Sequence, residues 1–194
     1  MTTSIRRPLQ NQLLKAWDKA IKSDYRTQRI NSERSLQASY WAQLNKTLNP
    51  KTRRMFIEPR LRLATRQGEN FLVPDIVVCS PQKVIAVIEI KYLPRARPAY
   101  DADVRKLRRI SRRRGKLHVS NKRFLGRVAD AREYRFSANT LFVWAGVHKR
   151  PKESFESIDV PMLSSGIKEL EGCFIQLHAE TTDSDHPNVF IRRS

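Results

Sequence analysis

The eight residues 84–91 read Val-Ile-Ala-Val-Ile-Glu-Ile-Lys and are almost entirely apolar. A strand of this composition is buried on both faces, so it belongs in the centre of a sheet rather than at its edge. The run is far shorter than the ~20 residues that a transmembrane helix needs, and no other apolar run in the chain approaches that length. The sequence therefore predicts a buried sheet built around residues 84–91.

Further helix and strand patterns flank this central run. Apolar side chains at three- and four-residue spacing predict helices, the second of them capped by Ser32, at residues 9–21, 33–48, 101–113, 122–134 and 159–172. Alternating or continuous apolar residues predict strands at residues 55–65, 71–79, 84–91, 141–147 and 173–179. The first three strands are expected to form a meander. This order of elements predicts a single α/β domain over residues 1–194, with a central mixed β-sheet flanked by helices.

The charge of the chain is strongly positive and unevenly distributed. With 38 Lys and Arg against 19 Asp and Glu, the net charge is +19. Residues 1–54 contribute +9 and residues 95–150 contribute +13, whereas residues 55–94 contribute only +1 and residues 151–194 contribute −4. A surplus of this size indicates a polyanionic partner, and nucleic acid is the leading candidate. Two basic segments thus flank a nearly neutral and apolar segment, where we expect the site to lie.

The basic surplus is densest in residues 105–123, which hold ten cations. Because this number exceeds what the capping of a helix requires, we expect these side chains to contact phosphates. The predicted nucleic-acid-binding residues are Arg105, Lys106, Arg108, Arg109, Arg112, Arg113, Arg114, Lys116, Lys122 and Arg123.

The remaining composition excludes several classes of protein. Cys79 and Cys173 lie far apart in strand-like segments, which predicts buried thiols in a reducing compartment rather than a disulfide or a zinc site. Arg6 and Arg7 are not followed by the apolar stretch of a secretory signal. We therefore expect a cytoplasmic protein that is associated with nucleic acid and not with a membrane. The four histidines show no metal-ligand spacing.

Three charged residues lie within the most apolar part of the chain. Glu89 and Lys91 are two positions apart on one predicted strand, so their side chains leave the same face. Asp75 lies on the preceding strand, and the short connection makes the two strands antiparallel neighbours. Buried charges need partners or a metal ion. Two carboxylates with one open side suit Mg²⁺ or Mn²⁺, and the amine suits a phosphate charge or an attacking water.

In this context, Pro74-Asp75 followed by Glu89-Ile90-Lys91 resembles the PD-(D/E)XK nuclease superfamily. The resemblance implies a restriction-endonuclease-like core over about residues 30–147, with an N-terminal helical extension and a C-terminal helix–strand extension. It implies that Asp75, Glu89 and the Ile90 carbonyl bind Mg²⁺ or Mn²⁺, and that Lys91 orients or polarises the attacking water. It also implies a helix after the motif whose basic or polar residues face the site, and residues 103–107 resemble that helix.

An accessory acid is also expected, on the helix that precedes the motif strands. Glu33, just after the predicted N-cap Ser32, fits that position and would support the metal ion or a second ion. Glu58 on the first predicted strand is the alternative accessory acid. The favourable position of an acid at a helix N-terminus is a sufficient structural reason for Glu33, so its catalytic role depends on the resemblance.

The function predicted first is a Mg²⁺-dependent endonuclease that hydrolyses phosphodiester bonds of DNA, with RNA left open as a substrate. The alternative is a catalytically silent nucleic-acid-binding protein that retains the nuclease fold. A basic structural component of a ribonucleoprotein is a weaker third hypothesis, because such a component has no need for acids in its most apolar strands. A homodimer or a larger nucleoprotein complex is compatible with each of these hypotheses.

Overall fold

A computed structural model of the chain describes residues 6–65, 68–97, 100–125, 128–149, 167–182 and 186–193. The helices are α1 (Arg6–Lys19), which continues as a π-helical segment (Ala20–Tyr25), α2 (Glu33–Thr47) and α3 (Asp101–Arg113), which a 3₁₀ turn (Arg114–Lys116) follows. The strands are β1 (Arg54–Ile57), β2 (Leu61–Thr65), β3 (Gly68–Leu72), β4 (Ile76–Cys79), β5 (Lys83–Leu93), β6 (His118–Leu125), β7 (Val128–Lys149), β8 (Phe174–Thr181) and β9 (Asn188–Arg193).

Seven strands form a curled mixed sheet, a half-barrel, in the order β1-β4-β5-β7-β6-β2-β3. The β5–β7 pair is parallel, and the other pairs on this path are antiparallel. The C-terminal part of β7 also pairs in parallel with β8, which β9 follows as an antiparallel neighbour. Phe56 of β1 and Tyr134 of β7 have ring centroids 5.4 Å apart although two strands separate them in the sheet, as the curl requires.

The sheet has an apolar core on each face. Helices α1 and α2 cover one face, where Trp17 and Tyr40 are fully buried with their rings edge to face. Helix α3 covers the concave face through buried Val104, Leu107 and Ile110. These two layers hold β5 at the centre of the sheet, as its composition predicts.

Several predictions are confirmed. The chain is an α/β protein with a mixed sheet, and α3 has the predicted bounds. Ser32 caps α2: its hydroxyl accepts a hydrogen bond from the Ser35 amide, and the Ser35 hydroxyl accepts one from the Ser32 amide. Cys79 and Cys173 are buried free thiols.

Among the described residues, no helix has both the length and the apolar character needed to cross a membrane.

Two predicted strands are each divided in the structure. The 55–65 segment breaks between β1 and β2, where Glu58 has a φ of 47° and precedes Pro59. The 71–79 segment breaks around Pro74 and Asp75, between β3 and β4. The β2–β3 hairpin lies at the far end of the sheet, so the meander in space is β1-β4-β5. Proline interrupts both ladders because it has no amide hydrogen to donate.

The predicted helix at 122–134 is wrong. Residues 118–125 and 128–135 form the antiparallel β6–β7 hairpin, and β7 continues without interruption into the strand predicted at 141–147. Pairing with a neighbouring strand overrides the local spacing of apolar residues. Most of the predicted 159–172 helix lies outside the described residues, and its described end, from 168, is turn. Strand β8 confirms the prediction at 173–179, whereas β9 was not predicted.

Candidate functional site

Asp75 and Glu89 lie side by side at one end of the β4–β5 ladder. Ile76 is paired with Ile88, so Asp75 and Glu89 occupy the next positions on the two antiparallel strands. Asp75 Oδ2 accepts a hydrogen bond from the Ile90 amide at 2.5 Å. The proximity predicted from the short connection is therefore present in the structure.

The break that ends β3 holds the Asp75 backbone in place. Its carbonyl accepts hydrogen bonds from Gln37 Nε2 at 3.0 Å and from the Glu58 amide at 2.9 Å. Gln37 is buried on α2, one turn beyond Glu33, and sequence reasoning missed it. Gln37 comes four residues after Glu33, so both lie on one face of the helix. This spacing was the signal in the sequence that could have identified Gln37 as a site residue. Glu58 takes part through its backbone amide, and its side chain is exposed.

Glu89 is the most deeply buried acid of this group, with 1% of its surface exposed. Its Oε2 accepts a hydrogen bond from Lys106 Nζ at 2.6 Å. Its Oε1 is buried and has no hydrogen-bond partner. Burial, reinforced by the charge of Asp75 and opposed by Lys106, raises the pKa of Glu89 to about 9. Burial also raises the pKa of Asp75, although the hydrogen bond from the Ile90 amide and the charge of Lys106 oppose this shift.

Lys91 extends from the same face of β5 toward α2 and α3. Its ammonium lies 3.4 Å from Glu33 Oε2 and 3.9 Å from Asp103 Oδ2. Glu33 Oε2 also accepts a hydrogen bond from the Tyr92 amide at 3.2 Å. The structure thus brings Glu33 to Lys91 by its side chain. Four acids and two lysines converge at this place, a group that we call the carboxylate cluster: Glu33, Asp75, Glu89, Asp103, Lys91 and Lys106.

Asp103 and Lys106 belong to the segment 103–107, which the resemblance implies faces the site, but their individual contacts with Lys91 and Glu89 were not predicted. Asp103 is 7% exposed, and its Oδ2 accepts a hydrogen bond from Trp144 Nε1 at 3.3 Å. Burial raises the pKa of Asp103, although the charge of Lys91 opposes this shift. The two residues are one turn apart on α3, so they share a face of that helix. Their spacing was visible in the sequence, but the direction of the face depends on how α3 packs.

Lys106 was predicted to contact phosphate, and the structure instead directs it to the acids. Besides Glu89, its ammonium donates to the Val73 carbonyl at 3.3 Å. Burial opposes its charged form, but the charge and hydrogen bond of Glu89, together with Asp75 and Asp103, raise the pKa of Lys106. In this structure Lys106 is a counter-ion of the carboxylate cluster.

The other predicted nucleic-acid-binding residues divide into three groups. Glu169 is paired with Arg108 at 3.2 Å and with Arg112 at 3.6 Å. Lys122 and Arg123 are on β6, and their side chains lie outside the described part of the chain. The remaining cations lie on α3 or in the turn after it, and all are exposed except the half-buried Arg114: Arg105, Arg109, Arg113, Arg114 and Lys116.

Trp144 and Gly146 of β7 lie next to Glu89 and Lys91 in the sheet. Gly146 is paired with Lys91 across the parallel β5–β7 ladder, and the Trp144 indole covers the place of a Gly146 side chain. A Cβ atom at Gly146 would overlap that ring. The absence of a side chain at residue 146 therefore lets Trp144 reach Asp103.

Replacing Gly146 by alanine is expected to lower the free energy of unfolding by about 1–3 kcal/mol, the usual cost of overpacking a buried site. The added methyl group must displace the Trp144 ring, which also weakens the hydrogen bond to Asp103. Urea unfolding followed by tryptophan fluorescence measures this loss. Gly115→Ala is the matched control, because a Cβ there meets no atom within 4 Å. Equal stability of the Gly146 and Gly115 variants would contradict the proposed packing.

A buried histidine pair lies next to Trp144. His148 Nε2 and His178 Nδ1 are 2.9 Å apart, and the His178 ring is stacked on Phe190 at 4.6 Å. Burial, together with His148 and Arg192, lowers the pKa of His178 to about 3. The sequence spacing gave no sign of this pair, since adjacent parallel strands β7 and β8 bring the two residues together.

The donor atoms of the carboxylate cluster are of the kind that Mg²⁺ and Mn²⁺ prefer. Within the described residues, no three His, Cys, Asp or Glu side chains are arranged to hold a metal ion. Mg²⁺, however, commonly uses one or two carboxylates and keeps several water ligands. Asp75 and the unpartnered Glu89 Oε1 fit such a small donor set, and Ile90, whose amide donates to Asp75, is next to them.

An open cleft of about 630 Å³ adjoins the cluster beyond the C-terminal end of β5. Tyr92, whose amide binds Glu33, is part of its wall together with Tyr25, and the two rings meet edge to face. Arg26 and Arg95 line the same cleft and are exposed. It combines aromatic and cationic groups next to the acids, and sequence reasoning did not identify it.

Comparisons of this chain with models of known protein families, with curated protein sequences and with solved structures found no match.

Proposed function

We propose that this protein is a metal-dependent nuclease with a restriction-endonuclease-like core, and that it hydrolyses phosphodiester bonds of DNA. The observation that carries the proposal is the pair of Asp75 and buried Glu89, whose Oε1 has no hydrogen-bond partner. A buried carboxylate oxygen without a donor is costly, so it requires a reason. In a chain with a net charge of +19, a cation site that faces a phosphate supplies that reason.

Each residue of the motif has a distinct role in this proposal. Asp75, Glu89 and the Ile90 carbonyl would hold Mg²⁺ or Mn²⁺. When bound, such an ion lowers the pKa of a water molecule and neutralises phosphate charge. Lys91, held by Glu33 and Asp103, orients the attacking water and offsets the charge that develops on the phosphate. Glu33 is the proposed accessory acid because its side chain, unlike the backbone contact of Glu58, reaches Lys91.

Two surfaces next to the carboxylate cluster suit nucleic acid. The exposed arginines of α3 can contact phosphates, and the cleft beyond β5 offers Tyr25 and Tyr92 with two arginines. Phosphate contacts release counterions, so binding should weaken steeply as salt rises. We propose no sequence preference for either surface.

The proposal is tested by incubating the purified protein with plasmid, single-stranded DNA and RNA of matched length. Cleavage is expected with Mg²⁺ or Mn²⁺ and none with a chelator. Asp75→Asn should remove cleavage but keep salt-sensitive DNA binding, since it leaves the basic surfaces unchanged. Cleavage that persists in Asp75→Asn, or its absence from the wild-type protein in both metals, would refute the proposal. Cleavage of RNA alone would change the substrate and retain the mechanism.

The 2.6 Å contact between Lys106 and Glu89 favours a second candidate function. If that ion pair is permanent, the acids are neutralised internally and the protein binds nucleic acid without cutting it. In that case the protein would retain DNA in a salt-dependent manner, and divalent metal ions would change neither its binding nor its stability.

A further inference from the structure

Lys106 occupies the part of the carboxylate cluster where a bound cation would compete with it. Its ammonium lies 2.6 Å from Glu89 Oε2 and 3.3 Å from the Val73 carbonyl. The other Glu89 oxygen has no partner, while Asp75 Oδ2 already accepts the Ile90 amide. An ammonium in this position donates a hydrogen bond to one of the oxygens that a divalent cation would use as a ligand. It also repels any second cation that enters the cluster.

The side chain of Lys106 is also free to leave this position. It is 31% exposed, in contrast to the 1% exposure of Glu89, and it has four rotatable methylene groups. The exposed Arg105 and Arg109 flank it on the outer surface of α3. A phosphate held by those arginines would lie within the field of the same ammonium. The structure thus places Lys106 between an acidic cluster and a basic surface.

We propose that Lys106 is a displaceable partner of Glu89, which donates to Glu89 Oε2 in the free protein and turns to a substrate phosphate when a divalent cation takes its place. Cation and nucleic acid then bind cooperatively, because each favours the outward position of Lys106. This inference rests on the proposed nuclease function and assigns Lys106 a positioning role that the motif does not contain. It explains how a buried acid remains compensated before the cation arrives.

The test is calorimetric titration with Ca²⁺, with and without a short DNA duplex whose integrity is checked on a gel. The wild-type protein is expected to bind Ca²⁺ weakly alone and about ten-fold more tightly with DNA, a typical coupling. Lys106→Met should bind Ca²⁺ about ten-fold more tightly than wild type without DNA, and DNA should add little further. Lys83→Met, which removes an exposed lysine at the opposite end of β5, should keep the wild-type Ca²⁺ affinity and the response to DNA.

A second measurement follows from reciprocity. If DNA strengthens Ca²⁺ binding by a given factor, Ca²⁺ must strengthen DNA binding by the same factor. Lys106→Gln, which keeps a donor to Glu89 without a charge, replaces Lys106→Met if the latter does not fold by circular dichroism. If the wild-type protein binds Ca²⁺ and the folded Lys106 variant binds it no more tightly, the role proposed for Lys106 is refuted. The proposed nuclease function is not refuted by that result. Absence of Ca²⁺ binding in every variant, with and without DNA, would refute the nuclease function as well.

Discussion

Replacing Lys91 by alanine should lower the rate of phosphodiester cleavage by about 100-fold or more, the usual loss when one preorganised electrostatic group is removed from an active site. The ammonium lies between two carboxylates, at 3.4 Å from Glu33 and 3.9 Å from Asp103. These contacts hold the charge in one place before the substrate arrives. A group that is already oriented needs no rearrangement when negative charge develops on the phosphate.

The same substitution should leave cation binding intact or strengthen it. Lys91 supplies no ligand atom to the cation. Its removal also lowers the positive charge next to Asp75 and Glu89. The expected pattern is therefore a slow variant with unimpaired Ca²⁺ affinity. Single-turnover rates at saturating enzyme and Mg²⁺ measure the first quantity, and calorimetric titration measures the second.

Lys83→Ala provides the matched control, because Lys83 is an exposed lysine at the opposite end of the same strand. It removes one positive charge without touching the carboxylate cluster, so its cleavage rate should equal that of the wild-type protein. If Lys91→Ala cleaves within a few-fold of the control, Lys91 does not act on the reacting phosphate. If both variants lose affinity for Ca²⁺, the loss reflects the fold rather than the site.

The position of Asp75 next to Glu89 could be predicted because it depends on local rules. The apolar run of β5 requires a central position, and the short connection from β4 leaves an antiparallel pair as its nearest arrangement. Alternation of side chains then places Glu89 and Lys91 on one face. The Ser32 cap likewise places Glu33 in the first turn of α2.

Lys106 and Asp103 could not be placed by such rules. The amphipathic pattern of α3 was evident, but which basic residues point to solvent depends on how the helix docks on the concave face of the sheet. The helix predicted at 122–134 failed for a related reason. Phe124, Leu125 and Val128 fit a helical stripe, and only the pairing of residues 118–125 with 128–135 determines the strand.

Replacing Glu89 by glutamine should stabilise the metal-free protein at neutral and alkaline pH. Glu89 is 1% exposed, and burial raises its pKa from 4.5 to about 9. Between these two values the folded protein holds a proton that the unfolded chain has released. Because the folded state then binds more protons, its stability falls as the pH rises through this window and is recovered as the pH falls. Asp75 and Asp103, whose pKa values burial also raises, act in the same direction.

The expected gain is on the order of 3 kcal/mol at pH 7, because each pH unit above the ordinary pKa costs about 1.4 kcal/mol. It should approach zero near pH 4.5 and be larger at pH 9. Urea unfolding of the wild-type protein and Glu89→Gln at pH 5, 7 and 9 in the presence of a chelator measures this dependence. Glu171→Gln is the matched control, since Glu171 is exposed in the turn before β8. It should reproduce the wild-type slope.

The effect of Mg²⁺ on stability shows whether Glu89 is part of a cation site or is a buried acid that binds no cation. A cation that binds the ionised form of Glu89 stabilises the folded state by mass action, so it should restore the wild-type stability at pH 8–9. Glu89→Gln lacks the charged oxygen and should respond much less. If the wild-type protein loses stability toward alkaline pH and Mg²⁺ has no effect, Glu89 is a buried acid compensated by Lys106 alone. That result, together with absent cleavage, would identify the chain as a nucleic-acid-binding protein rather than a nuclease.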